Sequence, residues 1–224
     1  RGPAAAPLLA PRPPRQPRVL TEAEGKALLL EFGLRIPRGL RAASAAEAGE
    51  AAARLGFPVV LKGEGLAHKT EAGAVRLDLR DAEAVRRAAE GMPARTFLVE
   101  DMVGGTLAEL LVGIVLDPAH GYVLTLAAGG TLTEILRDRV SLLLPATRQE
   151  VDAVLSRLRL SALLDGWRGA PPVARGPVVD AVMALQDLVV AHHGRIAEIE
   201  VNPLLCGAGH AVAADSLVRM GDTA

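Results

Sequence analysis

The chain has 224 residues, of which 50% are hydrophobic and only 2% are aromatic. Its 25 lysine and arginine residues nearly balance 26 acidic residues, so the formal net charge is -1. This length can bury a core in one large domain or in two small lobes. The balanced charge and the scarcity of aromatic side chains argue against a nucleic-acid-binding protein.

Cysteine content and hydropathy indicate the compartment. The single cysteine, Cys206, cannot form an internal disulfide, and proteins of reducing compartments rarely carry disulfides. No apolar run approaches the roughly 18 residues of a membrane span, and no signal-peptide pattern opens the chain. We therefore expect a cytoplasmic protein.

The first 20 residues differ in composition from the rest of the chain. They contain six prolines and four arginines but no acidic residue, which favours an extended, poorly packed segment. We predict a disordered linker over residues 1–20 and a folded domain over residues 21–224. The missing initiator methionine suggests that the linker joined an upstream segment, although N-terminal processing would leave the same sequence.

Helices and strands are predicted from capping patterns and hydrophobic periodicity. Thr21 with Glu24, Ser44 with Glu47 and Thr147 with Glu150 have the capping-box spacing. Helices are predicted near residues 21–32, 45–55, 81–91, 148–158 and 177–193. Strands are predicted at residues 58–62, 74–79, 96–101, 109–116, 121–127, 196–201 and 210–214. The fold class is therefore α+β or mixed α/β.

The stretch "VVLKGEGLAHKTEAGAV", residues 59–75, places charges between two strands. A lysine at a strand end usually extends its ammonium to water. Here Gly63 and Gly65 permit close backbone approach beside Lys62, and His68 and Lys69 add a titratable group and a second positive charge. Together these residues favour a site for a phosphate chain.

Two glutamates flank the loop that contains Gly104 and Gly105. Glu100 ends one predicted strand and Glu109 begins the next. Backbone groups at a strand end can hydrogen-bond a purine edge, and a carboxylate can accept hydrogen bonds from ribose hydroxyls. Because exposed carboxylates at strand ends are common, a plain surface role stays open.

A polar group near the C-terminus indicates a metal site. In "IAEIEVNPLL" the two-residue period of a strand places Glu198, Glu200 and Asn202 on one face, and Asp215 closes the next predicted strand. Carboxylate and amide oxygens are ligands that Mg²⁺ accepts alongside nucleotide phosphates. The alternative is that this face is simply exposed to solvent.

Five segments, read in order, resemble the ATP-grasp part of ADP-forming acyl-CoA synthetases, relatives of succinyl-CoA synthetase. They are "VVLKGEGLAHKTEAGAV", "FLVEDMVGGTLAELLVGIVLDPAHG", "AAGGTLTEILRD", "LLDGWRGAPP" and "EIEVNPL" followed by Asp215. The resemblance covers roughly residues 20–220. It implies an ATP-grasp fold with a smaller lobe at about 21–102, a larger lobe at about 103–224, and a nucleotide cleft between them.

The resemblance also implies roles for individual residues. Lys62 would contact the nucleotide phosphates, residues 97–100 would line the adenine, and Glu109 would lie near the ribose. The full set implied for the nucleotide is Lys62, Gly63, Gly65, Glu100, Val103 and Glu109. The set implied for Mg²⁺ is Glu200, Asn202 and Asp215.

Phosphoryl relay is implied as well. In such enzymes a phosphohistidine carries the phosphoryl group between an acyl-transferring subunit and the grasp domain, and His68 resembles a second relay station. Neutral imidazole is nucleophilic near pH 7, although a surface histidine that only closes a loop is the alternative. Gly129, Gly130 and Glu134 would dock the incoming phosphohistidine segment.

The implied activity is ATP + carboxylate + CoA = ADP + phosphate + acyl-CoA, with ATP/ADP and Mg²⁺ as ligands and the chain as the ATP-grasp part only. The CoA-binding, acyl-transferring part would be an alpha-type subunit or an upstream domain in a hetero- or homo-oligomer. The sequence departs from relatives at Glu71 and Ala74, where aspartate and glycine are common. These departures keep open a second interpretation, a non-catalytic ATP-binding regulatory module, for example in an acetyltransferase fusion.

Overall fold

The computed structural model describes residues 9–65, 73–130 and 138–223. The chain divides into two compact units. The large unit comprises residues 1–20, 24–36 and 105–224, and the small unit comprises residues 21–23 and 37–104. The predicted lobes instead divided the chain near residue 102, with residues 24–36 in the smaller lobe.

The large unit is built on an antiparallel sheet in the order β1-β11-β9-β6-β7-β8, with β10 paired to β9. Its strands are β1 (Arg15–Val19), β6 (Thr106–Asp117), β7 (Gly121–Ala128), β8 (Arg139–Leu143), β9 (Ile196–Gly207), β10 (Ala211–Ala213) and β11 (Ser216–Asp222). The long strands β6 and β9 pair along most of their length, so their side chains alternate between the two faces of the sheet.

Helices pack against one face of this sheet. They are α1 (Glu22–Glu31), α4 (Arg148–Leu155), α5 (Ser161–Leu164) and α6 (Arg175–Ala191). Ile199 and Val201 of β9 share one hydrophobic cluster with Val151 of α4 and Val182 of α6. Because Glu200 alternates with these buried residues, its side chain lies on the other face of the sheet.

The small unit has an antiparallel sheet in the order β2-β5-β3-β4 and two helices. Its elements are β2 (Gly39–Ala42), α2 (Ala45–Leu55), β3 (Val59–Gly63), β4 (Val75–Leu79), α3 (Ala82–Glu90) and β5 (Phe97–Asp101). Val59, Leu61, Phe97 and Val99 pack with alanines of α2 in a separate cluster. Lys62 and Glu100 alternate with these residues and therefore occupy the opposite sheet face.

The mixed α/β class is confirmed, and two expectations need correction. Residues 15–19 lie in the predicted linker but form strand β1, which pairs antiparallel with β11. Asp215 does not close a strand, because β10 ends at Ala213 and Asp215 lies in the turn before β11. None of the helices in the described ranges has the length and hydropathy to cross a membrane.

Candidate functional site

Lys62 lies at a buried position near the end of β3. Its Nζ is 2.6 Å from Glu22 Oε1 and 3.0 Å from Glu100 Oε2, and all three side chains are at most 7% exposed. On β5, Glu100 pairs with Val60, so Lys62 and Glu100 are diagonal neighbours across two strands. The fixed anions around this ammonium are therefore protein carboxylates.

The opposite charges of Lys62 and of the two glutamates stabilise one another in this buried cluster. Isolated charges are expensive to bury, and a buried cation persists only when it is paired and hydrogen-bonded. Glu22 was not among the predicted site residues, whereas Glu100 was predicted to contact nucleotide and is here bound to Lys62. Phosphate binding by Lys62 stays a prediction.

The two glycines after Lys62 differ in their surroundings. Gly63 is buried and donates its N–H to Ala74 O at 2.8 Å, whereas Gly65 has φ +79 and open space where a Cβ would lie. Between them, Glu64 Oε2 accepts a hydrogen bond from Arg41 Nε at 2.8 Å. The predicted relay residue His68 lies outside the described residues, as does Glu134.

The side chains of residues 97–100 point alternately to the two faces of the small sheet. Phe97 and Val99 point into the hydrophobic cluster, so their side chains cannot line an adenine, although their backbone groups remain part of β5. Leu98 and Glu100 lie on the opposite face. Val103 follows in the loop before β6 and is half-buried.

In the large unit, residues predicted for ribose contact, docking and metal binding lie together. Gly129 N donates to Glu109 O at 2.8 Å, and Gly130 N donates to Asn202 Oδ1 at 3.4 Å. A Cβ at Gly129 would lie 2.7 Å from the Leu110 carbonyl carbon, and a Cβ at Gly130 would collide with Glu109 Oε2. Glycine is required here because the ends of β6 and β7 approach so closely.

The acidic group on β9 is brought together as its spacing predicts. Burial raises the pKa of Glu200; a hydrogen bond from Asn202 opposes this shift, and the negative charges of Glu198 and Asp215 add to it. Asn202 also reaches the turn before β11, because its backbone N–H donates to Asp215 O at 3.3 Å. Mutual repulsion of the three carboxylates is the condition that a bound cation relieves.

The donor chemistry fits Mg²⁺. Glu200, Asn202 and Asp215 offer two carboxylates and an amide oxygen, and Mg²⁺ is usually held by one or two carboxylates together with substrate phosphates. Within the described ranges, no group of three or more His, Cys, Asp or Glu side chains is arranged to hold a metal. Two carboxylates and one amide oxygen suit a nucleotide-bound cation better than an all-protein metal cage.

Two buried charged residues of the large unit were not predicted. Lys26 is 3% exposed, and its Nζ donates to Ala214 O at 2.6 Å. Asp138 accepts backbone N–H bonds from Arg159 and Leu160 at 2.9 Å each and so fixes the turn before α5. Lys26 could have been found from helical periodicity, since it lies three residues before the fully buried Leu29.

Comparison with known proteins decides the family. A family model described as an ATP-grasp domain matches residues 14–220. The chain belongs to this ATP-grasp family. The match begins inside the segment predicted as a linker, in agreement with the presence of β1 in the ATP-grasp domain.

Two similar proteins indicate where this ATP-grasp domain occurs. The 4-hydroxybutyrate–CoA ligase [ADP-forming] of Nitrosopumilus maritimus is 32% identical over 83% of this chain and 28% of its own length. The beta subunit of acetate–CoA ligase [ADP-forming] I of Pyrococcus furiosus is 27% identical over 89% of this chain and 90% of its own. The chain thus spans less than a third of the first relative and most of the second.

A solved structure shows that the similarity includes the three-dimensional fold. The dinucleotide forming acetyl-coenzyme A synthetase 1 of Ca. Korarchaeum cryptofilum superposes with a TM-score of 0.78 at 26% identity, covering 90% of this ATP-grasp domain and 92% of that chain. That structure contains coenzyme A and Mg-AMPPCP, with its phosphohistidine segment pointing towards the nucleotide-binding site.

Proposed function

We propose that this ATP-grasp domain is the nucleotide-binding part of an ADP-forming acyl-CoA synthetase, in which ATP, a carboxylate and CoA yield ADP, phosphate and acyl-CoA. The observation that carries the proposal is the grouping of Glu200, Asn202, Asp215 and the Gly129–Gly130 backbone. This oxygen-rich group suits a cation bound to nucleotide phosphates. The similarity to a beta subunit over 90% of that subunit's length supports the same conclusion.

The proposed roles follow the chemistry of each group. Lys62 contacts the nucleotide phosphates as a compact positive charge, with Gly63 and Gly65 leaving room for them. Glu100, Val103 and Glu109 belong to the base and ribose contacts. Glu200, Asn202 and Asp215 hold Mg²⁺, which offsets the negative charge of the phosphates.

Phosphoryl transfer then needs an acceptor. A neutral imidazole nitrogen attacks the γ-phosphorus, the bond from that phosphorus to the β,γ-bridging oxygen breaks, and ADP leaves with the electron pair. We assign the acceptor on this chain to His68. Gly129, Gly130 and Glu134 would receive the phosphohistidine segment of the acyl-transferring part, which is an alpha-type subunit or a further domain.

A second candidate function is ATP binding without phosphoryl transfer, as in a regulatory module. The observation that favours it is the engagement of Lys62 by two carboxylates, Glu22 and Glu100. A phosphate chain must share or displace these contacts, so nucleotide binding and efficient transfer are separable properties of this chain.

Labelling distinguishes the two candidates. The chain is incubated with Mg²⁺ and γ-labelled ATP, with and without an alpha-type acyl-transferring subunit, and acid-labile label is mapped by peptide. We expect label on His68 and on the partner's histidine, and a His68→Gln variant should lose acyl-CoA formation while still binding ATP. ATP binding without any label would support the regulatory module, and absence of ATP binding would contradict both.

A further inference from the structure

Lys26 is a buried cation that the roles above do not use. It lies on α1 at 3% exposure, although lysine is almost never fully buried unless its charge is compensated. Of the 25 lysine and arginine residues, only Lys26, Lys62 and Lys69 are lysines. In a chain that uses arginine nearly everywhere else, a buried lysine indicates a position where a compact ammonium is needed.

The contact of Lys26 falls on the turn that carries Asp215. Its Nζ donates to Ala214 O at 2.6 Å, which belongs to the peptide bond leading into Asp215. The same turn is tied to β9, because Ala214 N donates to Pro203 O at 3.0 Å and Asn202 N donates to Asp215 O at 3.3 Å. Lys26 therefore fixes, from the helix side, a turn that β9 fixes from the other side.

The preceding residue strengthens this attachment. A Cβ at Gly25 would lie 3.1 Å from Ser216 Oγ, so the backbone of α1 approaches the beginning of β11 closely. Two successive residues of α1 thus contact the segment on either side of Asp215. The Asp215 backbone is held on three sides, by α1, by Pro203 and by Asn202.

The positive charge of Lys26 matters here in addition to its hydrogen bond. One backbone carbonyl can be satisfied by a neutral donor, whereas an ammonium places a full positive charge beside a turn that carries a carboxylate. The neighbouring acidic group contains Glu198, Glu200 and Asp215, whose negative charges repel one another. A fixed cation behind the turn offsets part of the negative charge of this acidic group.

We propose that Lys26 is a positioning residue for the cation site, holding the Ala214–Asp215 peptide so that Asp215 stays beside Asn202, whose backbone N–H donates to Asp215 O. The inference rests on the proposed function, because it concerns the cation that accompanies the nucleotide. Outer partners of metal ligands commonly change metal affinity by 10- to 100-fold when they are replaced. Lys26 would act through Asp215 rather than touch the nucleotide.

The test compares metal dependence with metal-free nucleotide binding. ATP binding to the full chain is measured by calorimetry in EDTA and across a Mg²⁺ titration, for wild type, Lys26→Met and Lys26→Arg. We expect Lys26→Met to raise the half-saturating Mg²⁺ concentration about tenfold while leaving ATP binding in EDTA unchanged. Lys26→Arg, which keeps a cationic donor, should recover part of that loss, and Arg35→Met, which removes an exposed cation just after α1, should match wild type.

Each outcome decides a different question. An unchanged Mg²⁺ requirement in Lys26→Met, or an equal loss of ATP binding with and without metal, would overturn the positioning role while leaving the proposed function standing. Failure of the wild type to bind Mg-ATP would overturn the proposed function itself, and the role of Lys26 with it.

A second measurement needs no variant to fold well. With only three lysines, ¹⁵N labelling of the lysine side chains gives a simple ammonium spectrum in which the signals of the buried Lys26 and Lys62 are protected from solvent exchange. The signal that is absent from Lys26→Arg is assigned to Lys26. We expect Mg-ATP to shift this signal and ATP in EDTA to leave it in place. A Lys26 signal that is indifferent to Mg²⁺ would contradict the proposal.

Discussion

At the scale of single residues, the chain places charges in two very different environments. Lys62, Glu22 and Glu100 form a cluster with side chains at most 7% exposed, whereas the Arg38–Asp101 pair, at 2.6 Å, has an arginine that is 74% exposed. Water screens the exposed pair, but nothing replaces a partner lost from the buried cluster. Substitutions that look equivalent in sequence should therefore differ greatly in their effect.

Lys62→Met should lower both stability and ATP affinity. Removing the ammonium leaves two carboxylates buried without their cation, which costs about 3–5 kcal/mol of unfolding free energy. Urea unfolding measures this loss, and Arg38→Met serves as the control because its pair is exposed and should be nearly neutral. If the two variants unfold at the same urea concentration, Lys62 is not a buried ion-pair partner in solution.

The stability of the protein should also depend on pH through Glu200. Burial first, and then the charges of Glu198 and Asp215, raise the pKa of Glu200 in the folded chain despite the hydrogen bond from Asn202. A raised pKa means that the folded state holds the proton more tightly than the unfolded state. The contribution of Glu200 to the free energy of unfolding is therefore fully present below the ordinary pKa of glutamate. It is lost as pH rises through the raised pKa of the folded state.

Glu200→Gln should therefore melt at a higher temperature than wild type at pH 7.5 without Mg²⁺, and the difference should vanish towards pH 4. Glu150→Gln is a control of opposite sign, because hydrogen bonds from Thr147 lower the pKa of Glu150 and its stabilisation is present at pH 7.5. Scanning calorimetry across this pH range measures both. A Glu200→Gln variant less stable than wild type at pH 7.5 in EDTA would contradict the repulsion argument.

At the scale of secondary structure, elements with long apolar patterns were predictable, and most of the missed strands lie at sheet edges. The predicted strand at residues 121–127 and the predicted helix at residues 45–55 correspond to β7 and α2, because buried elements carry long apolar patterns. Of the four missed strands, β1, β2 and β8 are edge strands of the two sheets, and β11 lies between β1 and β9. Edge strands bury less, and Pro17 in β1 is tolerated only because an edge has an unpaired side.

In the candidate site, proximity along one strand was predictable and contacts between distant elements were not. The two-residue period of β9 predicted correctly that Glu198, Glu200 and Asn202 lie close together, because parity along a strand is a local property. The partnership of Lys62 with Glu22, and of Lys26 with Ala214, depends on contacts 40 and 188 residues apart in sequence. Periodicity can place such residues on a face, but it cannot say which distant element meets that face.

The Gly129–Gly130 pair offers a test at the junction of β6 and β7. Gly129→Ala would press a Cβ into backbone atoms of Glu109 and Leu110 and should cost about 1–3 kcal/mol. Gly130→Ala meets the flexible end of the Glu109 side chain, but its φ of +70 should cost about 1–2 kcal/mol. Urea unfolding gives both values.

A double variant separates the two causes at residue 130. Combining Gly130→Ala with Glu109→Ala removes the colliding carboxylate, so any part of the loss that comes from the collision should be recovered. Gly129→Ala should gain nothing from Glu109→Ala, because its collision is with backbone. Equal recovery in both double variants would show that the two glycines are not distinguished by these contacts.

At the scale of the whole molecule, binding and stability are linked. The large and small units each have their own hydrophobic cluster. A ligand that binds only the folded chain stabilises it by an amount set by its concentration relative to its dissociation constant, about 2.7 kcal/mol at a hundredfold excess. Mg-ATP should therefore protect the whole chain against heat.

We expect Mg-ATP at this excess to raise the melting temperature by about 5–10 °C, since each kcal/mol shifts a chain of this size by about 2–4 °C. The shift should shrink in EDTA and in Asn202→Ala, because that variant removes an oxygen that would bind the cation and a partner of both Glu200 and Gly130. Ser44→Ala removes the N-cap of α2, which has no proposed contact with the nucleotide. This variant should melt at a lower temperature than wild type but show the full rise in melting temperature with Mg-ATP. If Asn202→Ala gains as much protection from Mg-ATP as Ser44→Ala does, the acidic group on β9 is not where the metal-bound nucleotide is held.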